Sequence, residues 1–227
     1  MVIGSFARDI YALGEAGGTQ SIRGTQDIDL AFAYADPDNL EALEHFGVPT
    51  NGAISRMLGP YQVDILPFDR NQEGAQEYRG EEGQAWIVTG LREAFEHSVL
   101  KDIGAGLQIR VPTVAGLLGL KLIAWAVRGY GESKDAQDWV YLLDCYHRLM
   151  DEDSLYNSEY FSGDPVSTAG IMAAAEIKNI FDSSSLNAMT TVLQDMHYQR
   201  VLEGYVERYG LSIPDIYQAF YTELVDV

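Results

Sequence analysis

Residues Asp27-Ile28-Asp29-Leu30-Ala31-Phe32 alternate strictly, with Ile28, Leu30 and Phe32 against Asp27, Asp29 and Ala31. A period of two marks a half-buried β-strand. Strand interiors disfavour Asp, and two carboxylates on one face repel unless a cation or a hydrogen-bonding network offsets them. Alone, the pair fits either a solvated sheet face or a metal site. Tyr61–Leu66 reads as a further strand, paired with Ile54–Met57 as a hairpin around Gly59-Pro60 and closed by Pro67. Within it, Val63-Asp64-Ile65 again sets one acid inside an apolar run. A third carboxylate on a neighbouring strand completes an oxygen-only donor set suited to Mg²⁺. Two such ions about 4 Å apart can activate an attacking hydroxyl and neutralise a leaving pyrophosphate.

The chain has 227 residues, 47% of them hydrophobic and 11% aromatic, which suits one folded domain or one domain with a helical extension. Its 34 acidic and 15 basic residues give a formal charge of −19. That balance argues against a standing grip on nucleic acid, which works by neutralising phosphates. Only a local pocket, drawn from Arg8, Arg23, Lys121, Arg128 and Lys134, could do so. Cys145 is the sole cysteine, so an intrachain disulfide, a thiolate zinc site and a CxxC pair are excluded. It lies in an apolar helical stretch and reads as a core residue. His45, His97, His147 and His197 lack ligand spacing. With no run of about 18 apolar residues and no basic-then-apolar N-terminus, neither membrane spanning nor secretion is expected, and a cytoplasmic location is the default.

Met1–Ile3 reads as the tail of a strand, either short and central or preceded by an earlier start. A helix follows over Phe6–Leu13, then a glycine-rich loop over Gly14–Gly24. Asn39–Phe46 has helical composition after Asp36-Pro37-Asp38. Residues 68–110 mix loops with short strands such as Trp86–Val88, and a helix lies near Leu91–Glu96. Thr113 is the expected N-cap of a helix to Arg128 that Gly129 ends. Ser133–Met150 forms the next helix, Asp151–Pro165 a linker or loop, and Val166–Phe181 and Ser185–Tyr209 two more. A last helix opens at Ser212-Ile213-Pro214-Asp215. The division expected is residues 1–150 as one domain and 151–227 as a helical C-terminal extension.

Gly4-Ser5 sits at a strand-to-helix junction, where exposed backbone N–H groups and the helix dipole favour an anion, although an ordinary N-cap would look the same. No GxxxxGK[ST] run occurs, which excludes a standard P-loop. Lys121 recurs with Val114, Leu118, Trp125 and Arg128 at helical spacing, placing a cation in an apolar stripe. It either snorkels past the core or meets an anionic ligand. Asp135 and Asp138 share one face of the next helix beside Trp139, and acids there also suit the helix dipole.

Taken in order, Gly4-Ser5-Phe6-Ala7-Arg8-Asp9, Arg23 to Leu30, Val63 to Phe68, Leu120 to Trp125 and Lys134-Asp135-Ala136-Gln137-Asp138 resemble the nucleotidyltransferase superfamily that shares the DNA polymerase β palm. The likeness spans roughly residues 1–150 and is nearest to bacterial AbiEii/AbiGii-type toxin nucleotidyltransferases. It implies an α/β (α+β) palm with a small mixed sheet flanked by helices. It further implies that Gly4 and Ser5 hold the β- and γ-phosphates of an NTP, that Asp27 and Asp29 bind two Mg²⁺ ions, and that Asp64 ligates one of them and helps deprotonate the acceptor. By the same resemblance Lys121 meets the triphosphate and Asp135 supports the nucleotide site. The implied reaction moves an NMP onto an acceptor hydroxyl of tRNA, protein or a small molecule such as an antibiotic, with an antitoxin as a partner of the toxin-type members. The strong negative charge suits a cationic small-molecule acceptor better than RNA. The alternative is an inactive nucleotide- or partner-binding domain of the same fold. Two departures stand out, the truncated first strand and the long glycine-rich insert before Asp27.

Overall fold

The computed structural model describes residues 1–14, 24, 27–50, 54–80, 83–129, 133–209 and 212–225. Arg23 and most of the glycine-rich loop expected at 14–24 lie outside the described residues. In chain order, α1 (Gly4–Gly14) precedes β1 (Asp27–Tyr34), and a 3₁₀ turn at Pro37–Leu40 runs into α2 (Glu41–Glu44). Then come β2 (Val48–Pro49), β3 (Ser55–Leu58), β4 (Tyr61–Asp69), β5 (Glu77–Arg79), β6 (Ala85–Ile87), α3 (Leu91–Glu96), β7 (Val99–Asp102) and β8 (Gln108–Val111). The rest is helical: α4 (Val114–Arg128), α5 (Ser133–Leu149), α6 (Glu152–Tyr156), α7 (Pro165–Ile180), α8 (Ser183–Gln194), α9 (Met196–Tyr209) and α10 (Ile213–Val225). This is the expected α/β chain, with a small mixed sheet and a helical C-terminal part.

The sheet runs β1-β4-β3-β2, with β1 parallel to β4 and the other pairs antiparallel. The hairpin expected around Gly59-Pro60 joins β3 to β4. Pro67, however, does not close β4, which continues to Asp69 and pairs Phe32 with Pro67. The amide of Ile65 donates to Ile54 O, so alternate amides from Ile65 face the β3 side. Pro67 therefore turns its missing donor to that side, beyond the last β3 pairing of Ser55 with Asp64.

The strand expected at Met1–Ile3 is reduced to an isolated antiparallel bridge between Val2 and Leu30. Ile3 N donates to Asp29 O at 2.9 Å, Ala31 N to Met1 O at 2.8 Å, and Val2 N to Arg110 O at 2.8 Å, so three residues bridge β1 and β8. Covering the β1 edge in this way fixes where α1 begins.

One apolar core runs through α1, α4, α5 and α7 to α10, and the helices beyond residue 150 pack directly on α4 and α5. Trp139 stands edge-on to Phe220 with centroids 5.2 Å apart. Gly119 of α4 lets the Phe181 ring rest on the helix backbone, where a Cβ would collide with it. A smaller cluster of Ile3, Ala31, Phe68, Val88 and Leu91 joins the sheet to α3. Cys145 is buried, as expected.

Two helical expectations are corrected. The segment 151–165 is not wholly a linker: Asp151 caps α6 by accepting from Ser154 N, and buried Leu155 anchors it. The span 185–209 is two helices, because Asp195 takes an extended backbone and its Oδ1 accepts from His197 N at 2.8 Å, opening α9.

Candidate functional site

Asp27 and Asp29 project from one face of β1, and the parallel register sets Asp64 of β4 directly beside Asp29. The three are half-buried, and one carboxylate oxygen of each lies within 4.8 Å of the others. Among the described residues this is the only convergence of three or more His, Cys, Asp or Glu side chains. Asp64 Oδ1 accepts from Ser55 Oγ at 2.5 Å and from Gln62 Nε2 at 3.2 Å, so its carboxylate is oriented from β3 and from its own strand.

Like charges held this close in a partly desolvated place oppose ionisation. Burial, and next the Asp27 charge, push the Asp29 carboxyl up to about 6, Asp64 adds to the rise, and Lys121 and Arg128 work against it. A hard cation bound by all-oxygen donors would remove that repulsion. The donor set therefore fits a divalent ion such as Mg²⁺.

Helix α1 starts against this cluster. Gly4 has φ +66°, and a Cβ there would overlap Asp29 Oδ2, so only glycine brings the first turn so near the carboxylates. Ser5 is buried and its hydroxyl donates to Asp138 Oδ2 at 3.4 Å.

Beneath lies a chain of alternating charges. Arg8, 2% exposed, pairs with Asp138 and Asp9. Lys121 Nζ reaches Asp138 Oδ2 at 2.8 Å and Asp135 Oδ1 at 3.2 Å, and Arg128 Nη1 reaches Asp135 Oδ2 at 2.8 Å. Asp135 and Asp138 are each 1% exposed and sit in the first turns of α5, where the dipole favours them.

The structure thus joins Asp27, Asp29, Asp64 and Gly4 in one place and sets Ser5 at its edge. Lys121 does not snorkel: two buried carboxylates engage its ammonium, where the resemblance implies a triphosphate, and Asp135 is one of the two. Of the five residues that could form a local basic pocket, Arg8 and Lys121 are buried in ion pairs, Arg128 and Lys134 are exposed, and Arg23 lies outside the described residues. Sequence reasoning missed Asp138 as the hub of this network and Ser55 as the partner of Asp64. The i, i+3 spacing of Asp135 and Asp138 was the available signal for the former; nothing local marked the latter. No helix among the described residues is long and apolar enough to cross a membrane. No protein-family model matches the chain, and no curated protein is significantly similar to it.

Proposed function

We propose that the chain is a Mg²⁺-dependent nucleotidyltransferase that moves an NMP from an NTP to an acceptor hydroxyl. The supporting observation is the convergence of Asp27, Asp29 and Asp64 directly against Gly4, at the start of α1. Oxygen donors for a divalent ion and a helix N-terminus suited to phosphate then lie side by side. In this reading Asp27, Asp29 and Asp64 hold Mg²⁺, two ions in all, and Gly4 and Ser5 present the first turn of α1 to the β- and γ-phosphates. When bound, Mg²⁺ neutralises the triphosphate and acidifies the acceptor hydroxyl. The acceptor oxygen bonds to the α-phosphorus, the bond to the β-phosphate oxygen breaks, pyrophosphate leaves, and Asp64 takes the hydroxyl proton. Positioning and charge neutralisation account for most of the rate. Lys121 and Asp135, implied nucleotide residues, act from the ion network under the site.

A second reading, a nucleotide-binding domain without chemistry, draws support from the engagement of Lys121 by two carboxylates. The test is Mg²⁺-dependent transfer of label from each α-labelled NTP into cell extract, beside Asp27→Ala/Asp29→Ala. Label seen only with wild type supports transfer and reveals whether the acceptor is tRNA, another protein or a small molecule. Mg²⁺-dependent NTP binding without transfer supports the second reading.

A further inference from the structure

Lys121 is the cation that the resemblance assigns to a triphosphate, yet it is 8% exposed and held by Asp135 and Asp138 at salt-bridge distances. Arg8 is 2% exposed and committed to Asp138 and Asp9. Arg128 is built differently. Its side chain is 48% exposed, and one nitrogen, Nη1, anchors to buried Asp135 Oδ2 at 2.8 Å. A guanidinium carries its N–H donors in a rigid planar fork, so a single anchor fixes its direction and leaves donors for a second anion.

We infer that Arg128, and not Lys121, is the cation that contacts the polyphosphate of the substrate, with Asp135 as the residue that positions it. The inference rests on the nucleotidyltransferase reading. Continuity with the acidic cluster runs through named contacts: Gly4 lies against Asp29, Ser5 binds Asp138, Asp138 and Asp135 share Lys121, and Asp135 holds Arg128. Asp135 therefore has a role that a dipole-satisfying acid would not need, since it ties the exposed guanidinium to the buried lysine.

Inorganic tripolyphosphate with Mg²⁺ is the probe, because it carries the anionic part of any NTP without a base. Calorimetric titration of the full chain should show binding to wild type. Arg128→Gln should weaken it about 10- to 100-fold, the effect of losing a charge-assisted contact. The free protein's thermal midpoint should fall modestly, because Asp135 Oδ2 loses its donor while Lys121 still pairs with Oδ1. Arg128→Lys, which keeps the charge but loses the fork, should fall between. Wild-type affinity in both variants overturns the inference, and if Arg128→Gln does not fold, wild-type affinity in Arg128→Lys alone does so. Should Asp27→Asn/Asp29→Asn abolish binding while Arg128 variants do not, the inference falls and the nucleotidyltransferase reading stands. Absence of tripolyphosphate binding by wild type removes both.

Discussion

The site is made of two acidic regions in contact, and they treat charge in opposite ways. Asp135 and Asp138 are almost fully buried, yet each carboxylate oxygen faces a cation or a hydroxyl, and Arg8, Lys121 and Arg128 alternate with them. Asp27, Asp29 and Asp64 are only half-buried, yet they crowd together, and burial with mutual repulsion raises Asp29 to about 6. The more buried region alternates carboxylates with cations, whereas the more open one brings three carboxylates within 4.8 Å of one another. Burial alone therefore does not set the electrostatic state of an acid; the charges around it do.

Removing one acid from each region should give effects of opposite sign. Asp138→Ala leaves Arg8 without its buried partner and Lys121 with one of two, and should cost about 3–5 kcal/mol in urea unfolding. A loss under about 1 kcal/mol would show that the network is no more structural than a surface pair. Asp29→Asn should instead stabilise the protein at pH 7 in chelator, by about 1–3 kcal/mol. Because folding raises the Asp29 pKa from 3.8 to about 6, the native state binds the proton more tightly than the unfolded one. On this group's account, stability is greatest in acid, falls as pH rises through that interval and is level above it. Unfolding free energies measured across the interval should lose that fall in Asp29→Asn. Added Mg²⁺ should raise the wild-type midpoint and leave the variant's unchanged.

Gly4→Ala probes the contact between α1 and the acids. It should cost about 1–2 kcal/mol for the left-handed backbone alone, and by displacing Asp29 it should also weaken Mn²⁺ binding followed by electron paramagnetic resonance. Ser55→Ala should have the smallest effect on stability, about 1 kcal/mol for the lost hydrogen bond. Its Mn²⁺ affinity should nevertheless fall about 10-fold, because the hydroxyl orients Asp64. Equal Mn²⁺ affinity in Ser55→Ala and wild type would show that Asp64 needs no support from β3.

The two regions were unequally legible. Asp27 and Asp29 could be paired because strand alternation is a local property, and Asp64 could be added because one acid in an apolar strand is conspicuous. Lys121 was conspicuous too, as a cation in an apolar stripe, but its partners lie on the next helix, α5. Arg8 and Asp138 are separated by 130 positions in the chain, and no periodicity links them. Pro67 shows the same limit within the sheet: its ring forbids a donor, but only the end of β3 reveals that none is needed there. The break at Asp195 is a capping choice that helical composition on both sides conceals.

Local pattern determined the strands and helices near the site, the glycine at the start of α1, and the presence of three acids fit for a hard cation. Those features follow from side-chain period and backbone freedom, which act over a few residues. The parallel register that sets Asp64 beside Asp29, the three-residue bridge between β1 and β8, and the choice of Asp138 as partner for both Arg8 and Lys121 were decided by tertiary structure. Charges and strand edges find partners through space, and these partners lie far apart along the chain.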